Sequence, residues 1–283
     1  VLDEEYKEAV IILAGLKRHP QANSLVYQMS GNCYSYMGQK EMALSEYKSG
    51  MAVFPNAGNL YLESGNIYHQ KEEYDQAIGY YRDGISVDPN FPSNYYRLAD
   101  LYLQSKDLMS GLVYAEIFMN LERSSQRTTE MSERMYRTYA EAIHIEGDST
   151  RMDFCEAIID PVNFEKEKKL PFCLIFGKHM ALGTIGMGEL NLSALARLRS
   201  NFITTFSEQD ASDYPNVLFE YQKKMKEAGV FDAYNHYILQ IGAPEEFEQW
   251  RLDNLQAFEF FIDWYSREEN YLRIEQEEAF VGF

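Results

Sequence analysis

The sequence predicts an all-α fold: a solenoid of helix-turn-helix units followed by a helical C-terminal extension. Tyr27, Tyr61 and Tyr95 stand 34 residues apart, as do Tyr34, Tyr68 and Tyr102, and Gly31, Gly65 and Ala99 keep the same interval. The interval continues through Ala43, Ala77 and Gly111, through Gly50, Gly84 and Phe118, and through Pro55 and Pro89. A period of about 34 residues is that of stacked antiparallel helix pairs, because one such pair cannot bury its apolar face alone. The 8 prolines in 283 residues leave long helices open.

The elements follow in order. Tyr6, Ala9, Leu13 and Leu16 read as a lone second helix ending at Pro20, so residues 1–20 form a partial repeat. Residues 22–56 and 57–91 are full repeats. In each, a small residue (Gly31 with Ala43, Gly65 with Ala77) lies where two helices approach closely, Tyr34, Tyr47, Tyr68 and Tyr81 fill the space between units, and Pro55 or Pro89 stops the second helix. Residues 92–125 form a degenerate repeat: Tyr95, Ala99 and Tyr102 hold the register, but Gly111, Ala115, Phe118 and Arg123 replace its Ala, aromatic, small residue and Pro, so its second helix should pack differently. Tyr136 keeps the spacing within residues 126–146, where Glu133 occupies a small-residue position, which suits a capping helix.

Residues 147–283 form a separate helical region. Gly147, Asp148, Ser149 and Pro161 punctuate an irregular connection, in which Met152, Phe154 and Cys155 suit a short extended piece before the charged run Glu165 to Lys169. Helical periodicity then returns at about 172–182, 191–206, 213–228, 230–241 and 245–265. The last is the clearest, with Phe247, Trp250, Leu255, Phe258, Phe261, Ile262 and Tyr265 at three- and four-residue steps.

Composition bounds the function. A net charge of -18, from 26 Lys+Arg against 44 Asp+Glu, repels phosphate backbones and anionic lipid, so nucleic acid and membrane are poor partners. The longest apolar stretches, Ala9 to Leu16 and Phe172 to Phe176, fall short of the roughly 20 residues of a spanning helix, so no membrane insertion is expected. The sequence starts at Val1 with no apolar leader, so a signal peptide would lie upstream. Cys33, Cys155 and Cys173 are odd in number and lack a CxxC spacing, which argues against a disulfide framework.

The repeat positions resemble the tetratricopeptide repeat (TPR). With residue 24 as position one, the family's series of aromatic, small, aromatic, Ala, aromatic, small and Pro reads Tyr27, Gly31, Tyr34, Ala43, Tyr47, Gly50, Pro55, and the second copy reads Tyr61, Gly65, Tyr68, Ala77, Tyr81, Gly84, Pro89. Around Tyr234-Asn235-His236-Tyr237 and from Glu245 to Trp250 the chain resembles the C-terminal half of a bacterial TPR-protein family to which no activity attaches. That resemblance implies a helical extension packed on the repeats. Members are often exported, which favours an exported or periplasmic site over a cytoplasmic one.

In TPR proteins the first helix of each pair lines a concave face at positions two, five, nine, twelve and thirteen. The resemblance places Leu25, Gln28, Asn32, Ser35 and Tyr36 there, then Asn59, Leu62, Asn66, His69 and Gln70, then Ser93, Tyr96, Asp100, Leu103 and Gln104. This surface is neutral, amide-rich and aromatic. Asn32 and Asn66 either hydrogen-bond an extended peptide backbone, since an amide offers donor and acceptor, or simply tolerate a packed position. Of the carboxylate clamp found in chaperone-binding TPR domains, Asn32 and Arg97 match, but Gln28 and Ser93 replace both lysines and Glu63 replaces the second asparagine, which disfavours an acidic-tail ligand.

Catalytic signals are sparse. Gly183, Gly186 and Gly188 do not fit a phosphate-binding fingerprint and read as an interhelical loop. Asp232 and His236, four apart, have the spacing of two metal ligands without a second pair, so neither metal nor cofactor is expected. Cys155 and Cys173 read as structural thiols, and Asn191-Leu192-Ser193 as a helix start capped by its serine.

The sequence therefore points to a non-catalytic scaffold binding a peptide or protein through Leu25, Gln28, Asn32, Tyr36, Leu62, Asn66, His69, Tyr96, Arg97 and Asp100. The alternatives are an enzyme with a site around His179, Asp232 and His236, or a self-assembling subunit, of which a homodimer is the simplest. The tail, with Phe280, Val281 and Phe283 after an acidic run, either frays or docks into an apolar groove.

Overall fold

The computed structural model describes residues 2–146, 149–156, 169–184 and 188–282. Gly147, Asp148, Pro161, the charged run from Glu165 to residue 168, Gly186 and Phe283 lie outside the described residues. The fold class is all-α, with almost no sheet among the described residues, consistent with a helical solenoid. It divides into two compact units, one running to Leu98 and including Ile274–Val281, the other Ala99–Arg273.

The first unit contains α1 (Leu2–Leu16), α2 (Ser24–Tyr36), α3 (Lys40–Val53), α4 (Gly58–Gln70), α5 (Tyr74–Val87) and the start of α6 (Pro92–Tyr102). The register has a direct structural cause. A Cβ on Gly31 would overlap the ring of Tyr47, and one on Gly65 would overlap the ring of Tyr81. Both rings are almost fully buried. Each hydroxyl then donates to an asparagine on the first helix of its own pair: Tyr47 to Asn32 Oδ1 at 2.6 Å and Tyr81 to Asn66 Oδ1 at 3.0 Å. Tyr68, expected to be buried between helices, is only half-buried and stacks on Tyr80 with ring centres 5.2 Å apart. Tyr47 and Tyr81, the rings that lie on Gly31 and Gly65, are buried deeper than Tyr68.

Both full repeats turn through a left-handed residue. Gly38, at φ 74°, follows α2, and the Gln39 N–H reaches back to Tyr34 O at 2.9 Å. One period later Glu72, at φ 60°, does the same, with Glu73 N–H on Tyr68 O at 3.0 Å. This is the six-to-one closure that ends helices, made once with glycine and once without it.

The segment that leads into the tail is tied to the first unit. Asn90, in the turn after α5, accepts the Ile274 N–H at 3.0 Å and donates to Ile274 O at 2.8 Å, and Gln276 donates to Ser86 O at 3.0 Å. Ile274 and Phe280 are buried.

The second unit holds the rest of α6, then α7 (Leu108–Glu122), α8 (Gln126–Ala142), β1 (Ile143–Glu146), β2 (Ser149–Met152), α9 (Phe172–Leu182), α10 (Leu192–Gln209), α11 (Val217–Glu227), α12 (Phe231–Ile238), α13 (Pro244–Asp253) and α14 (Leu255–Ser266). Every residue of α7 from Met109 to Asn120 is buried, so this second helix of the degenerate repeat is enclosed on all sides. Gly111 permits it, since a Cβ there would strike Leu103. The strands pair antiparallel, Ile143 opposite Met152 and Glu146 opposite Ser149. The extended piece expected near Met152 is thus half of a hairpin whose other strand directly follows the capping helix. The expected continuous helix over 245–265 is two helices, broken where Asn254 adopts φ -126°, ψ 34°.

Two features hold this unit together. Phe154, Phe172, Phe176, Phe202, Phe206 and Phe219 form an aromatic cluster with ring centres 5.1 to 5.8 Å apart in successive pairs. Beside it the buried Glu116 takes Arg199 Nη2 at 2.6 Å, Gln222 Nε2 at 2.6 Å and the Tyr234 hydroxyl at 2.8 Å. Three donors and one full counter-charge make that buried carboxylate tenable. The cysteine expectation is corrected: Cys155 and Cys173 form a disulfide with Cα atoms 6.0 Å apart, while Cys33 is free. An odd count carries no information about a single local crosslink, and hairpin and α9 bring the two together.

Candidate functional site

The first helices of the two full repeats, with the start of α6, enclose a cavity of about 300 Å³ lined by Asn32, Ser35, Tyr36, Tyr47, Glu63, Asn66, Ile67, His69, Gln70 and Arg97. That lies at the small end of ligand pockets. Its floor is the buried Tyr47, whose hydroxyl bonds Asn32. Burial, and next the negative charge of Glu63, push the Tyr47 phenol well above its ordinary range, so it stays a donor to Asn32.

Glu63 is the hub of the wall. It accepts from Gln28 Nε2 at 2.8 Å and from Asn66 Nδ2 at 3.1 Å, and Gln28 in turn accepts from Asn59 at 2.8 Å. The asparagines are therefore neither idle nor wholly free. Their oxygens are committed to tyrosines and Asn66 Nδ2 to Glu63, whereas Asn32 Nδ2 has no protein partner among the described residues.

The residues expected at the site separate into groups. Asn32, Tyr36, Asn66, His69 and Arg97 line the cavity, with Tyr36 67% exposed. Gln28 acts through Glu63, Leu25 is exposed, and Leu62 and Tyr96 are half-buried outside the lining. Asp100 belongs to the second unit, where Arg134 Nη1 donates to its carboxylate at 2.8 Å and neutralises it. Glu63 was read in the sequence only as a departure from a clamp. Its role as a hydrogen-bond hub depends on Gln28, 35 residues away, a pairing visible only once the helices are side by side.

In the second unit, His179 is buried, with Nδ1 on Thr205 Oγ1 at 2.8 Å and Nε2 on Asp210 Oδ2 at 2.6 Å. The hydrogen bond from Lys178 lowers the Asp210 carboxyl below its usual range. His236 is also buried. Its Nδ1–H must donate to the Asp232 carbonyl at 2.9 Å, which leaves Nε2 to accept from the exposed Ser193 hydroxyl at 3.1 Å. Burial lowers the pKa of His236, so the ring is neutral, and it stacks on Trp250 with centres 4.0 Å apart. Asn191, not Ser193, caps α10, its side chain accepting from Ala194 N–H at 2.8 Å. Among the described residues, no three His, Cys, Asp or Glu side chains form a group able to hold a metal ion, and no helix is long and apolar enough to cross a membrane.

Paired helices, glycine-seated tyrosines and a polar wall on the first helix of each pair define the class as a helical-repeat protein. Residues 65–106 match the family model described as TPR repeat, a stretch that begins within α4 and runs through α5 and α6. Repeats of the kind matched by residues 65–106 generally mediate protein-protein interaction. No curated protein matches the chain.

Proposed function

We propose that the protein is a non-catalytic interaction module that holds a peptide or protein segment against the first helices of its repeats. The observation that carries this reading is the cavity itself. It is open, walled by side chains from three successive repeats, and supplied with a donor, Asn32 Nδ2, that faces no protein partner among the described residues. Tyr36 offers an exposed ring at its edge, the kind of amphipathic contact enriched at interfaces. The Cys155–Cys173 disulfide supports an oxidising compartment, in keeping with export. The test is capture of partners from source cells by the intact protein and by a Tyr36→Ser/Arg97→Ala variant. Loss of the captured species with unchanged helicity supports the reading, and equal capture removes the site from this face.

A second reading rests on Ser193 and His236. A serine hydroxyl bonded to a neutral, carbonyl-oriented imidazole is the nucleophile-base half of an acyl-transfer site. Labelling of Ser193 by a fluorophosphonate, abolished in His236→Gln, would establish it. An unlabelled protein leaves the pair as a structural hydrogen bond.

A further inference from the structure

The concave cavity is not the neutral surface that its composition suggests. It holds one carboxylate and one guanidinium, and neither is neutralised. Glu63 is bonded by two amides, which orient it but carry no charge, and no lysine, arginine or histidine comes within 4 Å among the described residues. Arg97 likewise has no carboxylate within 4 Å among the described residues, and its guanidinium carbon lies 5.9 Å from the centre of the Tyr96 ring. The nearest acidic position along its own helix, Asp100, is occupied by Arg134. A half-buried pair of unlike charges held apart in one pocket is what a ligand carrying the reverse pair would complete, since charge-assisted hydrogen bonds are the strong ones.

We propose, building on the peptide-binding reading, that the cavity recognises a peptide segment with a lysine or arginine seated on Glu63 and an aspartate or glutamate within two residues of it seated on Arg97. The spacing follows from size. A cavity of about 300 Å³ is about 7 Å across, and an extended chain advances about 3.3 Å per residue. The amides serve the same ligand, Asn32 Nδ2 facing its backbone while Gln28 and Asn66 hold Glu63 in one orientation. The chain's net charge of -18 adds long-range attraction for the basic member of the pair. Glu63 stands where a terminal carboxylate would otherwise be gripped, so the acidic group is an internal side chain neighbouring a cation and not an isolated chain end.

A displayed library of random decapeptides, selected on the full-length protein, tests this. The winning sequences are then synthesised with blocked ends and titrated by fluorescence anisotropy. The expected result is enrichment of a basic residue within two positions of an acidic one, at least about a tenfold loss of affinity in Glu63→Gln and in Arg97→Gln, since hydrogen bonds to charged groups contribute about 1.5–3 kcal/mol, and unchanged thermal unfolding in both variants. A Glu63→Arg/Arg97→Glu double variant is expected to bind a peptide in which the two charges are exchanged. Enrichment of neutral or apolar peptides that Tyr36→Ser weakens would overturn this inference and leave the peptide-binding reading standing. No enrichment at all would overturn both. Free lysine or arginine competing as well as the peptides would make the cavity a site for small zwitterions and overturn it too.

Discussion

The glycine at the centre of each full repeat, Gly31 or Gly65, is the residue on which the register depends. Gly65 lies under the Tyr81 ring, so Gly65→Ala forces a fully buried side chain out of place. Overpacking of this kind costs about 1–3 kcal/mol, and a lower melting midpoint in circular dichroism reports it, while Gly79→Ala, where nothing lies within 4 Å, has no such effect. Glu72 supplies the complementary case. It holds the left-handed position that Gly38 holds one repeat earlier, and such a conformation costs a non-glycine residue about 1–2 kcal/mol. Glu72→Gly is therefore expected to stabilise the first unit by up to about 1 kcal/mol, after the chain entropy that glycine adds to the unfolded state. His236 sets a pH dependence in the second unit. Its pKa is lowered by burial, so the unfolded chain binds the proton first as pH falls below about 6.5. The neutral ring's contribution is complete above that pH and is lost below it. Both tryptophans, Trp250 and Trp264, lie in this unit, so fluorescence-monitored urea unfolding at pH 7 and 5 isolates it. The drop between the two pH values should be smaller in His236→Gln.

At the scale of elements, the repeats were legible in the sequence because their geometry repeats. Gly31 with Tyr47 and Gly65 with Tyr81 are the same contact made twice, and a contact made twice leaves a period. What occurs once leaves none. The hairpin β1–β2, the disulfide and the break at Asn254 each depend on a single local arrangement, and each was missed or misread. The enclosed α7 lay between these cases: the lost Ala and Pro of its repeat signalled different packing, but not that it would be surrounded. Glu116 on α7 depends on Arg199, 83 residues away, and no sequence spacing encodes that pair. Arg199→Met removes the counter-charge and leaves a buried carboxylate unpaired, at a cost of about 3–5 kcal/mol. Joint replacement by Glu116→Leu and Arg199→Met should cost less than the single change, again by tryptophan-monitored unfolding. The tail is another single arrangement, held by the Asn90 side chain on both backbone groups of Ile274.

For the molecule as a whole, the central claim is that the first helices of the repeats receive the partner. Of the residues expected there, the structure gathers Asn32, Tyr36, Asn66, His69 and Arg97 around one cavity, leaves Leu25, Gln28, Leu62 and Tyr96 outside its lining, and assigns Asp100 to a different task. The sequence pointed to the helices that line the cavity but not to the bonds among their side chains, and those bonds convert an amide-rich surface into a polarised one. Site-specific photocrosslinking in source cells tests the claim most directly. A benzoylphenylalanine placed at Tyr36 or at Gln70, beside the cavity, is predicted to trap the same partner, while one at Lys48, exposed on the second helix α3, is predicted to trap none. A partner trapped from Lys48 and from neither cavity position would contradict the account.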